Sequence, residues 1–211
     1  QHVAAHKTLF VPLTGQLRLT GPLIAPDLTL ELQQGRNLLL QDWRLRAGWS
    51  LSEGRLALDR FESPLLQASA ELPLNWREGA VQLGDLQAEF ALQPFPLARL
   101  SSLMGMPVTG QLSASGRVDG PLSALKPDVR LDLQSPGVGP LRFSELWLGQ
   151  LSGELGSGLE LDLFSSDGSL QLQGGGVPLA LQLRRGAGRA TLNQAADGGL
   201  TCRAEQLPLD G

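Results

Sequence analysis

The sequence predicts an all-β, antiparallel fold, and three observations lead to this prediction. Short segments throughout the chain alternate apolar and polar residues, which is typical of strands with one buried face. Gly, Pro, Asp and Ser separate these segments, as expected for turns between antiparallel strands. Leu supplies 47 of the 211 residues and would by itself favour helices. The alternation outweighs this composition, because a period of two places every Leu of a segment on one face of a strand.

The alternating segments run through most of the chain. In order they are LTLEL at 28–32, RLALD at 55–59, LLQASAEL at 65–72, DLQAEFAL at 85–92, VRLDLQ at 129–134, LELDL at 159–163, SLQLQG at 169–174 and LALQLRR at 179–185. Turn-forming stretches such as TGPLIAPD, LSEG and SSDGS lie between them. The three glycines at 174–176 interrupt a strand pattern, so they are interpreted as a bulge or sharp bend rather than a phosphate-binding loop.

One stretch, PFPLARLSSLMGMP at 94–107, departs from the alternation. Leu97, Leu100 and Met104 follow one another at steps of three and four residues, which is the spacing of one helix face. A proline near the start of the stretch and a glycine near its end are the usual start and stop signals of a helix. A short helix near 96–104 is therefore predicted.

The chain contains two copies of one unit. VPLTGQLRLTGPLIAPDLTLELQ at 11–33 is matched by MPVTGQLSASGRVDGPLSALKPDVRLDLQ at 106–134. Shorter matches continue the series: LALDRF at 56–61 with LELDLF at 159–164, LPL at 72–74 with VPL at 177–179, and FPL at 95–97 with LPL at 207–209. The predicted organisation is a tail of a preceding unit at 1–10, a first unit at 11–105 ending in the short helix, a second unit at 106–205, and the start of a next link at 206–211.

The two ends of the chain, QHVAAHKTLF and LPLDG, stop in mid-pattern. The chain is therefore interpreted as a piece of a longer protein, and the segment at 2–12 as the tail of a helix like the one near 96–104. His2 and His6 have the spacing of a helical metal pair, but no third ligand accompanies them. No metal site is predicted.

Composition excludes several classes of partner and site. The 17 basic and 21 acidic residues give a net charge of -4, which argues against nucleic acid or an anionic membrane surface as a partner. The single Cys202 excludes an internal disulfide framework and a multi-cysteine zinc site. Because it is in phase with Leu200 and Ala204, it is expected to be a packed small apolar residue. No apolar run reaches the ~18 residues of a spanning helix, and no secretory signal opens the sequence.

Nothing in the sequence indicates catalysis or a cofactor. It contains no G-x-S-x-G elbow, no H-E-x-x-H motif and no Walker loop. Glu160 and Asp162 share one strand face and are interpreted as part of a solvated exterior. Trp43 and Trp49 face the same way on a regular strand, Trp147 lies in the corresponding part of the second unit, and all three are interpreted as packing side chains. The protein is predicted not to be an enzyme.

Strands with one apolar face must bury it, and two arrangements do so. Either a second sheet packs on the first as a sandwich, or the sheet curls into a trough of its own. Both arrangements give the same alternation, so the residues alone leave the choice open.

The repeated pattern G-x-L-x-x-x-G-P-L-x-x-P-D-x-x-L-x-L, followed by alternating strands and a short F-P-L-x-x-L helix that leads back into TG-x-L, resembles TamB-type proteins. These belong to the wider AsmA-like group of repeating β-groove proteins, with relatives in the chloroplast envelope. The resemblance covers essentially the full chain. It implies a long, strongly curved antiparallel sheet that forms an open hydrophobic groove, or β-taco, with a short helix between units.

The resemblance also implies a function and a location. The chain would be a periplasmic segment of a protein anchored in the inner membrane, or of its equivalent in a chloroplast-related envelope. It would carry phospholipid acyl chains toward an Omp85-type outer-membrane partner and support outer-membrane biogenesis. The side chains expected to line the groove are Leu17, Leu28, Leu30, Leu32, Leu56, Leu58, Ala70, Leu72, Ala88, Phe90, Leu92, Val129, Leu131, Leu133, Leu159, Leu161, Leu163, Leu170, Leu172, Leu179, Leu181 and Leu183.

Two alternative functions are compatible with the same sequence. The chain could be a structural tether that assists insertion or translocation of outer-membrane proteins with an Omp85-type partner, or a closed β-sandwich binding module. In the open arrangement, the groove or the edge strands are also expected to favour self-association.

Overall fold

A computed structural model of the protein describes residues 13–22, 26–34, 42–50, 52–77, 80–139, 141–195 and 198–206. About three quarters of these residues lie in β-strands. The strands are β1 Leu13–Thr20, β2 Asp27–Gln34, β3 Trp43–Ser50, β4 Arg55–Glu62, β5 Leu66–Arg77, β6 Ala80–Leu83, β7 Leu86–Pro96, β8 Val108–Gly120, β9 Lys126–Val138, β10 Leu141–Arg142, β11 Leu146–Glu154, β12 Gly158–Phe164, β13 Gly168–Gly174, β14 Ala180–Arg185, β15 Gly188–Gln194 and β16 Leu200–Glu205.

The described strands form one antiparallel sheet that follows the order of the chain. The hydrogen-bonded order is β1-β2-β3-β4-β5-β7-β8-β9-β11-β12-β13-β14-β15-β16, with β6 pairing off β5 and β10 pairing off β9. β1 and β16 lie at the two ends of this order and do not pair with each other, so the sheet is open. The prediction of a long, open, antiparallel sheet is confirmed.

The main strands form one continuous hydrogen-bonded series over the described residues. Close backbone contacts join mainly strands that neighbour each other in this series, apart from a short helical segment that packs on β8. A sandwich consists of two separate sheets, and the described strands do not divide into two such sheets. The alternative of two separate stacked sheets is therefore wrong for this part of the chain.

The predicted helix lies between β7 and β8. It consists of a 3-10 turn at Leu97–Leu100 followed by α1 at Ser101–Met104, and Gly105 ends it in the left-handed conformation at a φ of 67°. Leu97 packs with Phe95 and Val108 in a small hydrophobic cluster at this margin of the sheet. The helix therefore closes one end of the strands where the first unit meets the second.

The repeated sequences mostly fall in corresponding strands. The two TGQL copies lie in β1 and β8, the PDLTLELQ and PDVRLDLQ copies lie mainly in β2 and β9, and LALDRF and LELDLF lie in β4 and β12. The match between LPL and VPL does not hold structurally, because residues 72–74 lie inside β5 whereas 177–179 connect β13 to β14. The glycines at 174–176 end β13 in a bend, as interpreted from the sequence.

One expectation for a single residue is wrong, and several others concern residues that the structure does not describe. Cys202 was expected to be packed, and this is wrong: it is in phase with Leu200 and Ala204 as predicted, but it is exposed. β16 is the last of the described strands, so among these strands its side chains have neighbours on one side only. His2, His6, the segment at 2–12 and the LPL copy at 207–209 lie outside the described residues.

Glycine is required where neighbouring strands approach closely on the predicted groove side. A Cβ atom on Gly149 of β11 would lie 2.7 Å from Leu163 Cδ2 and 2.8 Å from the carbonyl carbon of Asp162, both on β12. Gly149→Ala is therefore expected to lower the free energy of unfolding by about 1–3 kcal/mol, because the strands must move apart. Urea unfolding measures this. Gly48→Ala on β3 is the matched control: its backbone is not left-handed and its Cβ would meet only ordinary contacts, the nearest 3.6 Å away at Asp59 Oδ2, so it is expected to cost clearly less.

Candidate functional site

One face of the sheet, named the apolar face from here on, carries an uninterrupted row of apolar or glycine positions. Each position in the row lies directly opposite the next one on the neighbouring strand. The row crosses all fourteen strands of the main order and contains no polar side chain. Its members are Gly15, Leu32, Leu45, Phe61, Ala68, Phe90, Gly116, Val129, Leu151, Leu161, Leu172, Leu181, Leu192 and Cys202.

A second row runs beside it through the strands from β5 to β16. Its members are Leu66, Leu92, Ala114, Leu131, Gly149, Leu163, Leu170, Leu183, Ala190 and Ala204. Neighbouring members are again direct cross-strand partners, which are the pairs whose side chains contact each other in a sheet. Two adjacent rows without a polar side chain make the apolar face a continuous strip rather than a set of separate patches.

The residues predicted to line a groove all lie on the apolar face. All of them except Leu179 lie within strands, and the pairing registers place them on this one side. Leu179 directly precedes β14, and its Cδ1 atom lies beside Gly174, the partner of Leu159. The structure therefore brings the predicted set together on one surface. That this surface binds a ligand stays a prediction.

Sequence reasoning missed several members of the same face. They include Leu45, Phe61, Ala68, Ala114, Leu151, Ala190 and Leu192. The alternation of apolar and polar residues could have identified some of them. Leu45 lies in WRLRAGW and Ala68 in LLQASAEL, and both are in phase with predicted groove positions. Leu151 was harder to assign, because LWLGQLSG carries apolar residues in both phases. Phe61 follows a register shift in β4 that alternation cannot show.

Burial on the apolar face rises from the ends of the sheet to its centre. Leu17 on β1 is 66% exposed and Leu200 on β16 is 61% exposed, whereas Val129 and Leu163 on central strands are buried. The described strands belong to one continuous sheet, so side chains of this same sheet shield the central ones. Such mutual shielding is expected when the sheet curves toward the apolar face.

The margin of the apolar face next to the helix is closed by packed side chains. Trp147 of β11 is only 3% exposed, and the Phe143 ring meets it edge-on at 5.6 Å between ring centroids. The guanidinium carbon of Arg185 lies 5.2 Å from the centroid of the Phe143 ring. The Trp147 indole N–H has no hydrogen-bond partner among the described residues, so packing alone accounts for its burial.

Arg185 joins distant parts of the sheet at this closed margin. It is the last residue of β14, and its Nη2 donates a hydrogen bond to Oε1 of Glu145, just before β11, at 2.8 Å. Its Nε donates to Oδ2 of Asp167 at 3.5 Å. Two strands, β12 and β13, lie between β11 and β14. The contacts of Arg185 therefore draw the strand ends together on the apolar side.

The opposite margin, named the open margin, consists of connections between strands. The connections at 121–125, 155–157 and 175–179 are joined by hydrogen bonds from Leu155 N to Leu125 O at 2.8 Å and from Gly156 N to Gly175 O at 2.9 Å. Each connection exposes one large apolar side chain: Leu122, Leu155 and Val177. The two margins therefore differ in their packing: the closed margin contains the buried Trp147 and the paired Arg185, whereas the open margin consists of exposed connections.

The other face of the sheet is polar. Gln150, Gln171 and Gln173 donate hydrogen bonds to Asp128, Asp162 and Glu160 on neighbouring strands, at 2.8, 3.0 and 2.9 Å. The interpretation of Glu160 and Asp162 as part of a water-facing exterior agrees with this placement. An exception is the cross-strand pair Leu148 and Phe164, which is exposed on this face.

A depression of about 700 Å³ lies on the polar face between β4 and β11. Acidic and basic side chains alternate around it, including Asp59, Arg60, Glu89 and Arg117. Arg117 Nε lies 3.4 Å from Asp119 Oδ2 and 3.9 Å from Asp128 Oδ2. Because neither sign of charge dominates, the depression offers no concentrated field for an ionic ligand, and its polar lining does not suit an apolar one.

The tryptophans pack to different degrees. Trp43 stacks on Phe61 at 5.7 Å between ring centroids, and its Nε1 donates a hydrogen bond to Gln34 Oε1 at 2.9 Å. Trp147 is buried in the closed margin. Trp49, opposite Leu28 on the apolar face, keeps 36% of its surface exposed and is the one of these three that a ligand could reach most easily.

The described residues contain no group of His, Cys, Asp and Glu side chains that could hold a metal ion. None of their helices has the length and apolar character needed to cross a bilayer.

Comparison with known proteins adds no relative. No family model, no curated protein and no solved structure matches this chain. The resemblance to TamB-type proteins stays a prediction, and the function must be inferred from the apolar face and its margins.

Proposed function

We propose that this chain carries phospholipid along its apolar face, as a segment of a bridge between two membranes. The observation that carries the proposal is the row of fourteen apolar or glycine positions that crosses the whole sheet without a polar side chain. A folding core needs buried side chains, but it does not need a strip that continues to both edges of an open sheet. A path for acyl chains does need this continuity.

The energetics favour acyl chains as the ligand. Each buried methylene contributes about 0.8 kcal/mol, so a chain of ~16 carbons can gain on the order of 10 kcal/mol by leaving water. The rows offer no hydrogen-bonding side chain that would fix the ligand at one position. An acyl chain can therefore move from strand to strand between sites of similar free energy.

The two margins suggest how the lipid is oriented. The closed margin is filled by Trp147, Phe143 and Arg185, which leaves little room for a headgroup. The open margin consists of solvent-exposed connections. We therefore place the headgroup in water at the open margin and the acyl chains across the strands.

The dimensions fit a segment of a bridge. Strands lie about 4.8 Å apart, so fourteen strands span roughly 60 Å. The wider setting is part of the proposal: a periplasmic or equivalent envelope space, a parent protein anchored in the inner membrane, and an Omp85-type partner at the outer membrane. These elements come from the TamB-type resemblance, and the continuous apolar face is compatible with them.

Site-specific photocrosslinking in cells tests the proposal. A benzophenone amino acid at Leu131 or Leu172 is expected to crosslink to phospholipid, because both residues belong to the apolar rows. The same group at Asp132 or Gln171, one position away, faces the polar side and is expected to give little lipid adduct. Mass spectrometry of the labelled protein identifies the adducts.

The matched pairs also separate the alternatives. Equal lipid labelling at Leu131 and Asp132 would indicate nonspecific membrane contact and overturn the proposal. Absence of lipid at both apolar positions, with crosslinks to an Omp85-type protein instead, would favour the structural tether.

A further inference from the structure

A two-stranded hairpin projects beyond the open margin of the sheet. It consists of residues 74–77 of β5 and of β6, and is named the projecting hairpin from here on. β5 continues past its last pairs with β4 and β7, so these four residues pair with β6 alone and extend the strand by about 13 Å. The connections at 121–125, 155–157 and 175–179 of the same margin contain no strand.

One side of the projecting hairpin continues the apolar face. Leu72 of β5 belongs to the apolar face and is buried, and Leu74, two positions along the same strand, lies on the same side. Leu74 pairs directly with Leu83, which places Leu83 and Val81 of β6 on this side as well. Leu83 is 55% exposed and Val81 is 48% exposed. The apolar face therefore extends past the margin as an exposed apolar surface.

A bulge between β6 and β7 maintains this continuity. Leu83 pairs with Leu74, whereas Gln87 pairs with Glu71, so the segment between β6 and β7 contains one more residue than the β5 segment opposite. An extra residue shifts the phase of a strand. The shift places Val81 and Leu83, at odd positions, on the same face as the even-numbered apolar positions of β7.

The base of the projecting hairpin shows how closely the bulge is fitted. Gly84 N donates a hydrogen bond to Pro73 O at 2.8 Å. A Cβ atom on Gly84 would lie 3.0 Å from Pro73 Cβ and 3.2 Å from Pro73 O, so a larger residue would crowd this contact. Pro73 itself has no N–H to donate to a neighbouring strand.

The exposed side chains of the projecting hairpin are not part of a folding core. Among the described elements, β6 makes extensive backbone contacts with β5 alone. A hairpin without further strands or a packed layer gains little stability of its own. Contact with an apolar ligand, rather than packing within the chain, therefore accounts for Val81 and Leu83.

We propose that phospholipid acyl chains pass over the projecting hairpin when they move between a bilayer and the apolar face. This inference rests on the proposed function, because the ligand of the hairpin is the ligand of the face that it continues. A chain crossing the margin through water exposes methylenes at about 0.8 kcal/mol each. The apolar side of the hairpin offers these methylenes contact from beyond the margin inward to Leu72.

The charge of the chain indicates the kind of bilayer to use. A net charge of -4 provides no general attraction to anionic lipid, so contact with the bilayer must depend on apolar side chains. Vesicles of zwitterionic phosphatidylcholine are therefore the probe.

The rate at which lipid reaches the apolar face tests the proposal. The purified chain carries a benzophenone amino acid at Leu172 and is mixed with phosphatidylcholine vesicles, and samples are irradiated at successive times. Replacing both Val81 and Leu83 by Ser is expected to slow the appearance of the phospholipid adduct about tenfold, because acyl chains lose their apolar contact at the margin. The adduct reached at long times is expected to stay the same, since Leu172 lies on β13 and its own contacts do not change.

The matched control places the same two serines on the other side of the hairpin. Asn75 and Gln82 are direct cross-strand partners and both are exposed. Asn75→Ser with Gln82→Ser is expected to leave the rate at that of the parent chain. Circular dichroism checks that both double variants keep the strand content of the parent.

A direct measurement does not depend on how the serine variants fold. A benzophenone amino acid at Leu83 is expected to give a phospholipid adduct with the same vesicles, whereas one at Gln82 points to the opposite side and is expected to give at most about a tenth as much. Mass spectrometry of the labelled protein identifies the adducts.

The outcomes separate this proposal from the proposed function. If Leu172 acquires its adduct equally fast in the parent and in both double variants, or if Leu83 is labelled no more than Gln82, the role of the hairpin is wrong while the lipid path along the apolar face stands. If the Val81 and Leu83 variant loses adduct at long times as well, the hairpin is part of the binding surface and not a point of entry. Lipid labelling at Leu83 without any at Leu172 would overturn both proposals, because lipid would reach the hairpin and go no further.

Discussion

Replacing Trp147 by Ala is expected to lower the free energy of unfolding of the second half of the sheet by about 3–5 kcal/mol. Trp147 is 3% exposed and is the most buried large side chain of the closed margin. Its removal takes away the contact with the Phe143 ring and leaves a cavity beneath Gly168, whose added Cβ would lie 3.1 Å from the indole. A loss of this size is a large part of the stability of an ordinary domain.

The damage is expected to concentrate in the strands around β11. Strands of this sheet contact mainly their immediate neighbours, so the effect of a local cavity spreads through adjacent pairs as in a repeat protein. Hydrogen exchange is expected to accelerate in β9, β11, β12 and β13, and much less in β2 and β3. Urea unfolding gives the magnitude, and exchange measured by mass spectrometry gives the location.

Trp49→Ala is the matched control for this experiment. Trp49 lies on the same face but near the first end of the sheet and keeps 36% of its surface exposed, so its loss is expected to cost clearly less. Equal losses of stability for the two variants would contradict the distinction between a packed closed margin and an accessible apolar face.

The strand pattern was readable from the sequence wherever one phase was purely apolar. LTLEL, LELDL and LALQL each place Leu on one side of a strand, and the structure places these segments on the apolar face. The helix after β7 was equally readable, because its spacing and its proline and glycine signals agree. The spacing of apolar residues and the proline and glycine signals at element ends depend only on nearby residues, so a single sequence shows them directly.

The closed margin could not be read in this way. In LALQLRR, Arg185 occupies the apolar phase after Leu183, where local reasoning expects another apolar side chain. Its position depends on Glu145, 40 residues earlier in the chain, and on the ring of Phe143. Buried charged groups are stable only when such partners are present, and no local pattern reveals a partner so distant.

The choice between one curved sheet and two stacked sheets was also beyond the sequence. Both arrangements bury alternate side chains, so both have the same period. Cys202 illustrates the difference: its phase predicted burial, but it lies on the last strand of an open sheet and is exposed. Exposure at the sheet ends follows from topology rather than from residue type.

Leu161→Arg is expected to abolish lipid binding in the central part of the apolar face while the protein stays folded. Leu161 lies in the uninterrupted row between Leu151 and Leu172 and is half-buried. A long cationic side chain can lie along the strands with its guanidinium in water, so the sheet tolerates it. An acyl chain that passes over this position must instead contact or displace a hydrated charge, which costs several kcal/mol.

The measurement combines lipid adducts with a test of folding. A benzophenone amino acid at Leu172, beside the substituted position, is expected to lose roughly nine-tenths or more of its phospholipid adduct, since 1.4 kcal/mol already changes binding tenfold. Leu161→Met keeps an apolar side chain of similar size and is expected to keep the adduct. Asp162→Arg places the same charge one residue away on the polar face and is expected to leave lipid labelling at Leu172 nearly unchanged.

The possible outcomes assign Leu161 either to a transport surface or to an ordinary core. If Leu161→Arg unfolds the protein while Asp162→Arg does not, the residue is part of a closed core, and an open path at this position is wrong. If Leu161→Arg folds and keeps full labelling at Leu172, lipid does not pass over the row, and the proposed conduit is wrong. The proposal predicts that Leu161→Arg stays folded but loses the phospholipid adduct at Leu172, while Leu161→Met keeps the adduct. This pair of results would show that the face must be continuously apolar, whereas the shape of a single side chain matters less.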